Sequence, residues 1–190
     1  MKIAIVDNYD SFTYNLVHYF EDITGDRPLL CMNDQIQMDE LDSCSHIVLS
    51  PGPGLPKESG QLMEVLKRYN THKNILGVCL GMQAIGEFFG AQLKNLEHVQ
   101  HGVQTKIYIK EIIENSLYKG MPDIIEVGRY HLWVVDGKQL PESLMITAKD
   151  ENGNIMSLQH QHLPIYGVQY HPESIMTEFG KKILRNWIET

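Results

Sequence analysis

The stretch Gly77-Val78-Cys79-Leu80-Gly81 decides the fold of this chain. It joins a short apolar run that begins at Ile75 to a segment with the apolar spacing of a helix. A cysteine between two glycines, at a sharp turn from a strand into a helix, is typical of a nucleophile elbow. The positive end of the helix dipole would favour the thiolate there. The pattern therefore predicts a nucleophilic Cys79, and the alternative is that Cys79 is a small buried hydrophobic residue.

The composition is that of a globular protein and excludes several function classes. The 190 residues are 43% hydrophobic and 21% charged, which suits a single domain over residues 1–190. The net charge of −8 argues against non-specific nucleic-acid binding and against an anionic membrane surface. No apolar run reaches the roughly 20 residues that span a bilayer. The strand-like start at Lys2–Val6 leaves no room for a signal peptide, and three cysteines indicate a cytoplasmic protein.

Strand-like and helix-like segments alternate up to Gly90 and then give way to short strand-like pieces. The first part predicts a parallel sheet with right-handed crossovers. In the second part, Asn152-Gly153 predicts a hairpin. We therefore expect an α/β fold with an open, mostly parallel twisted sheet, helices on both faces as in flavodoxin, and a smaller antiparallel or mixed sheet in the second half. The strand-like segments are 3–6, 28–32, 46–50, 75–78, 92–94, 105–109, 126–127, 132–135, 145–148, 155–160 and 166–169, and the helical ones are 12–23, 34–41, 62–69, 84–89 and 178–188.

A loop rich in proline and glycine, Ser50–Pro56, follows the third strand. Such a loop is rigid and turns backbone amides in unusual directions. It lacks the Gly-Lys-Ser/Thr ending of a phosphate-binding loop, so composition alone favours a tight connection. Ser59 is expected to cap the helix that follows.

His171-Pro172-Glu173 directly follows the last predicted strand. Proline favours an extended preceding residue, and residues i and i+2 of an extended segment face the same side. An imidazole and a carboxylate would then leave the carboxyl end of the strand together, where open α/β sheets bind ligands. With Cys79 they supply the parts of an acyl-transfer triad. The alternatives are a surface turn, or a metal site formed by His160, His162 and His171.

Five ordered motifs, which extend over almost the whole chain, resemble the class I, or triad, glutamine amidotransferases. Within that family the chain is similar to the glutaminase subunits of anthranilate synthase and aminodeoxychorismate synthase. The motifs are Asp7–Asn15, Ser50–Gly54, Gly77–Gln83, Gly128–His131 and Gly167–Ser174.

The resemblance implies a role for each residue of the triad. Cys79 would attack the side-chain amide of glutamine and form a γ-glutamyl thioester. His171 would take the thiol proton and give it to the departing ammonia, and Glu173 would orient His171. The backbone amides of Gly54 and Leu80 would form the oxyanion hole.

The resemblance also implies the contacts to glutamine, which are expected at Gly52, Gln83 and the backbone of Leu132 and Trp133. Leu132 stands where the family usually has a serine, so the hydroxyl of that serine is missing here. Residues 103–121 lack the Asp/Gly/Ser-rich character common in the family, and no role is assigned within them.

A partner follows from the chemistry, because ammonia released into neutral water is mostly protonated and no longer nucleophilic. The resemblance implies a separate chorismate-converting synthase subunit, no cofactor or metal in this chain, and Mg²⁺ in the partner. We expect the contact face at Asn8, Tyr9 and Ser11, together with Arg129 and Tyr130. Two alternatives remain: a glutaminase for guanylate or carbamoyl phosphate synthesis, and a non-catalytic regulatory module on the same fold.

Overall fold

The computed structural model describes residues 1–110 and 117–190. Residues 111–116, inside the 103–121 segment discussed above, lie outside the described residues. The strands are β1 Ile3–Asp7, β2 Leu29–Met32, β3 His46–Leu49, β4 Asn74–Val78, β5 Leu93–Ile109, β6 Ile124–Val135, β7 Leu144–Asp150, β8 Ile155–His160 and β9 Ile165–Val168. The helices are α1 Thr13–Thr24, α2 Met38–Asp42, α3 Leu62–Tyr69, α4 Leu80–Phe88 and α5 Gly180–Ile188.

All of these strands belong to one mixed sheet, in the order β2-β1-β3-β4-β9-β8-β7-β5-β6. The first five are parallel, and the pairings from β9 through to β6 are antiparallel. The expected α/β class is confirmed. The expected second, smaller sheet is not separate, because β9 pairs with β4 on one edge and with β8 on the other. In the described residues, parallel and antiparallel pairings are therefore equally frequent.

The central strands are mostly apolar, and side chains from both faces of a strand enter a hydrophobic core. Along β1, Ile3 and Ile5 belong to a core cluster that includes residues of α1 and α5. Ala4 and Val6 belong to a second cluster with residues of α2, α3 and α4. Alternation of side chains along a strand explains how one strand contributes to both cores.

Local signals explain where several elements end. Gly25 closes α1 in the left-handed region (φ 76°) and donates its N–H to the carbonyl of Glu21, as expected of a glycine C-cap. Gly153 also has a positive φ, of 78°, in the turn that joins the antiparallel strands β7 and β8. The prediction that Ser59 caps α3 is wrong. Its hydroxyl donates to the carbonyl of Leu55, and Gln61 occupies the N-cap position.

The hairpin of β5 and β6 is longer than its sequence pattern indicates. The two strands have 17 and 12 residues, and irregular register interrupts their pairing at 95–100 and at 101–103. Most of β5 is exposed, so its polar side chains hide the strand from a hydrophobicity pattern. The hairpin brings residues 128–133 to the carboxyl ends of the parallel strands.

Candidate active site

Cys79 lies at the turn between β4 and α4 in a backbone conformation that glycine usually adopts, with φ 52° and ψ −102°. Its N–H donates to the carbonyl of Val168 (2.8 Å), and its carbonyl accepts from the N–H of Gln83 (3.1 Å). The surrounding structure therefore holds this strained residue at both ends. A Cβ on Gly77 would overlap the backbone of Gly81, and one on Gly81 would overlap the carbonyl oxygen of Leu49. The glycines thus permit a close approach of strand and helix.

His171 and Glu173 form a fully buried pair beside this turn. Nδ1 of His171 is 2.6 Å from Oε1 of Glu173, and each residue is 1% exposed. The N–H of His171 donates to the carbonyl of Gly128 on β6. Its carbonyl accepts from the hydroxyl of Thr177 (2.7 Å). The pair is therefore fixed by its own backbone as well as by the carboxylate.

The environment of His171 favours the imidazolium form. Burial alone would lower its pKa, but the charge of Glu173 and hydrogen bonding to Cys79 and Glu173 raise the pKa well above its usual value. Among the described residues, Nε2 of His171 has no well-aligned hydrogen bond. The sulfur of Cys79 is close enough for a hydrogen-bonding interaction that contributes to the raised pKa. The side-chain amide of Gln169 lies 3.6 Å from the same sulfur.

Two aromatic rings pack against the imidazole of His171. The rings of Phe12 and Tyr130 have centroids 5.1 and 5.0 Å from that of His171, both in edge-to-face arrangements. Phe12 and Tyr130 also contact each other, at 4.8 Å. The hydroxyl of Tyr130 donates to the sulfur of Met176. The imidazole is therefore held by packing as well as by hydrogen bonds.

A cavity of about 430 Å³ reaches the two reactive side chains. Its lining comes from the loop after β1, the Pro-Gly loop, the elbow, β5, β6 and the segment after β9. The lining residues are Tyr9, Asp10, Ser11, Phe12, Pro51, Gly52, Pro53, Cys79, His101, Tyr130 and His171. The cavity gives a small molecule access to the sulfur of Cys79.

Two backbone amides near the cavity have no protein acceptor among the described residues. They belong to Gly54, at φ 76° in the Pro-Gly loop, and to Leu80, the first residue of α4. Unpaired N–H groups at a helix start attract negative charge. These are the amides expected to form the oxyanion hole.

Of the four residues expected to contact glutamine, only Gly52 lines the cavity. Gly52 lines the cavity, and a Cβ there would lie 2.5 Å from Cβ of Asn8. Gln83 is buried, and its side-chain amide donates to the carbonyl of Trp133 (2.9 Å). Leu132 and Trp133 are half-buried on β6 and do not line the cavity. The structure therefore joins Gln83 to Trp133 directly, and neither residue lines the cavity.

The residues expected at a partner interface divide into exposed and buried ones. Tyr9 is 54% exposed at φ 61°, with its hydroxyl on Asp34, and Ser11 is also exposed. The side chains of Asn8 and Arg129 are buried, at 2% and 3% exposure. As interface residues, these two would have to act through the neighbours they hold in place.

Sequence reasoning missed a buried polar cluster beside the site. The guanidinium of Arg129 is 2.9 Å from the carboxylate of Asp150, and its Nε–H donates to Nε2 of His131 (3.1 Å). Asp150 stands just before the predicted turn at Asn152-Gly153, so the sequence alone suggested only a turn residue. A second missed residue is Ile175, which is 95% exposed two positions after Glu173.

The structure also bears on the alternative of a histidine metal site and on whether a helix could span a membrane. The rings of His160 and His162 are 6.3 Å apart, and no cluster of three or more metal-ligand side chains occurs among the described residues. None of the described helices is both long and apolar enough to cross a membrane.

Comparisons with known proteins agree with the motifs and the fold. The model of the class-I glutamine amidotransferase family matches residues 4–190. The chain is 42% identical over 190 residues to aminodeoxychorismate/anthranilate synthase component 2 of Bacillus subtilis, covering 99% of this chain and 96% of that protein. It is 38% identical over 193 residues to anthranilate synthase component 2 of Pseudomonas aeruginosa, with 98% and 94% covered.

Among solved structures, a Thermoplasma acidophilum protein provisionally described as a GMP synthase subunit has a TM-score of 0.87 and 30% identity. The alignment covers 100% of this chain and 92% of that one. A glutamine amidotransferase of Thermotoga maritima shares the fold, with a TM-score of 0.78 at 16% identity. The family match covers nearly the whole sequence, and two relatives are similar over almost their entire length. This chain belongs to the class-I glutamine amidotransferase family.

Proposed function

We propose that this chain is a glutaminase subunit that hydrolyses L-glutamine and delivers ammonia to a chorismate-converting synthase subunit. The observation that carries the proposal is the convergence of Cys79 with the buried His171–Glu173 pair at one cavity. Cys79 is far in the sequence from the His171–Glu173 pair, and the residues follow two adjacent parallel strands, β4 and β9.

In the first half of the reaction, the thiolate of Cys79 attacks the side-chain carbonyl carbon of glutamine. The carbon–sulfur bond forms, and the carbonyl electrons move onto oxygen. The carbon–nitrogen bond then breaks, and ammonia leaves with the proton supplied by the imidazolium of His171. The product is a γ-glutamyl thioester at Cys79.

In the second half, water attacks the thioester carbon while neutral His171 accepts its proton. The carbon–sulfur bond breaks, glutamate is released, and the thiolate–imidazolium pair is restored. Glu173, at 2.6 Å, stabilises the ring of His171 whenever the ring is charged. The amides of Gly54 and Leu80 are proposed to bind the oxyanion, an effect worth roughly 3–4 kcal/mol per donor in other enzymes.

Each of these bond changes uses side chains, backbone amides and water, so we assign no cofactor to this chain. The Mg²⁺ requirement is assigned to the partner synthase. We propose that Gly52, which lines the cavity, contacts glutamine directly. Gln83 and the backbone of Leu132 and Trp133 would contact glutamine once the cavity extends to reach them. The amide of Gln83 would then exchange its bond to Trp133 for one to the substrate.

The partner would cover the mouth of the cavity so that ammonia is not lost to water. We place this interface at Tyr9, Ser11 and Tyr130, supported internally by Asn8 and Arg129. Ile175 extends it, because an almost fully exposed isoleucine stands on a turn held by the hydrogen bond from Thr177 to His171. Burying such a side chain would contribute about 1.5–3 kcal/mol to assembly.

The acceptor is assigned to chorismate chemistry because the two relatives compared above are named for anthranilate and aminodeoxychorismate synthesis. The second candidate is a glutaminase that serves guanylate synthesis, in line with the description of the Thermoplasma protein. The two candidates share the triad and differ in the partner they bind.

We further propose that residues 1–190 act as one amidotransferase domain in the cytoplasm. Three free cysteines support a reducing compartment. The parallel half of the sheet is proposed to carry helices on both faces as in flavodoxin, since the two core clusters draw on different helices.

The test measures glutamate release from glutamine by the chain alone and with a chorismate-converting or a guanylate-forming synthase subunit. We expect stimulation by the chorismate-converting subunit, and amination that depends on this chain when glutamine is the only nitrogen source. Cys79→Ala should abolish glutamine use and leave ammonia-dependent synthesis intact. Cys44→Ala is the matched control, since Cys44 is also buried but does not line the cavity. A Cys79→Ala protein that still hydrolyses glutamine would refute the mechanism.

A further inference from the structure

We propose that Arg129 is a positioning residue that keeps the ring of His131 neutral, so that the positive charge of the active site stays on His171. The catalytic role in this inference rests on the proposed glutaminase function, whereas the protonation of His131 can be tested without it. It concerns the buried cluster of Arg129, His131 and Asp150, which the triad mechanism does not use.

The first step concerns which nitrogen of His131 carries a proton. The Nε–H of Arg129 donates to Nε2 of His131 at 3.1 Å. Because guanidinium has only donors, this nitrogen of His131 must present its lone pair. A neutral ring then has its hydrogen on Nδ1. Protonation at Nε2 would set N–H against N–H and would break the contact.

The second step concerns what holds Arg129 in place. Its guanidinium pairs with the carboxylate of Asp150 at 2.9 Å, and both side chains are almost fully buried. The other oxygen of Asp150 accepts the N–H groups of Asn152 and Asn154, which fix the β7–β8 turn. A carboxylate committed to these bonds gives Arg129 one stable position. Arg129 therefore cannot turn away from His131 without leaving a buried charge unpaired.

The third step concerns the charged groups around His131, which include the catalytic ring of His171. The charged groups that face His131 are Arg129 on its own strand and His171 from the segment after β9. Behind these stand Asp150 on β7 and Glu173, each paired to its own cation. Burial first, and then the charges of Arg129 and His171, lower the pKa of His131 to about 3. A proton on His131 would compete directly with the proton on His171.

The consequence for catalysis is a matter of which ring is charged. Of these two rings, that of His171 interacts with the sulfur of Cys79 and can give a proton to departing ammonia. A charge on His131 would still attract the thiolate but could not protonate the leaving group. Arg129 thus excludes an unproductive charge state of the site.

The experiment follows His131 directly and follows catalysis separately. The ring proton resonances of histidine are titrated by NMR in the wild type, Arg129→Gln and Arg129→Lys, and His131→Gln assigns the His131 signals. Arg129→Lys retains a cation opposite Asp150 but loses the fixed Nε–H, and it carries the test if Arg129→Gln does not fold. We expect His131 to titrate at a higher pH in the Arg129 variants than in the wild type, which should show no His131 titration above pH 4.

In parallel, kcat/KM for glutamate release is measured from pH 5.5 to 8.5 in the same variants and in Arg129→Gln/His131→Gln. We expect an added acid-side ionisation in the Arg129 variants, with a several-fold larger loss at pH 6 than at pH 8. The double variant should lack it. Equal losses at every pH, or an ionisation that persists without His131, would overturn the proposal. If no protein releases glutamate, the proposed function fails, and the NMR titration still decides the role of Arg129.

Discussion

Replacing His131 by glutamine should make the stability of this protein less sensitive to acid. The folded-state pKa of His131 is lowered to about 3 by burial and by the charges of Arg129 and His171, against an unfolded value of 6.5. Between these two values the unfolded chain binds more protons than the native one, so stability falls as the pH falls below 6.5. Glutamine can present its carbonyl oxygen to Nε of Arg129, so the buried hydrogen bond is retained while the titrating group is removed.

The size of the effect follows from the separation of the two pKa values. At pH 5 the unfolded histidine is almost fully protonated and the native one is neutral, which costs the wild type about 2 kcal/mol relative to pH 7. His171 contributes with the opposite sign. Its folded-state pKa is raised, so it stabilises the native state most at low pH and loses that contribution as the pH rises through the raised value. The contribution of His171 is largely common to the wild type and the variant.

The assay is urea unfolding of the wild type and His131→Gln at pH 5 and pH 7. The free energy of unfolding should drop by about 2 kcal/mol more in the wild type than in the variant between the two pH values. His72→Gln serves as a control at an exposed histidine and should follow the wild type. If the wild type and His131→Gln lost the same stability on acidification, the native ring would not be held neutral.

Three further predictions address packing, positioning and assembly. Gly81→Ala should lower stability by about 1–3 kcal/mol and reduce glutaminase activity, because its methyl group would meet the carbonyl of Leu49. Gly137→Ala is the control and should change thermal unfolding little, because its methyl group would lie 3.6 Å from Ile155. Phe12→Leu should lower kcat about 5- to 20-fold with little change in KM, since it removes two aromatic contacts worth roughly 0.5–1.5 kcal/mol each, and an unchanged kcat would show that the ring does not hold His171. Ile175→Asp should leave the isolated chain folded and weaken its complex with the chorismate-converting synthase at least 10-fold in calorimetry, because the change removes an apolar contact of about 1.5 kcal/mol or more, and undiminished affinity would exclude Ile175 from the interface.

The parallel half of the fold could be predicted from the sequence because its signals are local. The apolar run before Cys79, the helical spacing after it and the glycine that ends α1 each depend on a few neighbouring residues. The pairing of His171 with Glu173 has the same character, since the two are separated only by a proline. These features needed no knowledge of distant contacts.

The features that sequence reasoning missed depend on register across the antiparallel half. The sequence suggests that Arg129 is a surface residue. In the structure β5 pairs with β6 on one edge and with β7 on the other, and Asp150 at the end of β7 contacts Arg129. The sequence predicts that Ser59 caps a helix, but its hydroxyl donates to the carbonyl of Leu55 across the short turn at 56–58. The sheet reads as two parts because nothing in the sequence of β9 reveals that it pairs on both of its edges.

The backbone of Cys79 has a consequence for how such a protein evolves. A side chain at φ 52° and ψ −102° stores on the order of 1–3 kcal/mol that glycine would not. Cys79→Gly should therefore melt at a higher temperature than the wild type while lacking all glutaminase activity. Cysteine at this position would then be retained for activity at a cost in stability, and an inactive descendant would be expected to drift toward glycine here.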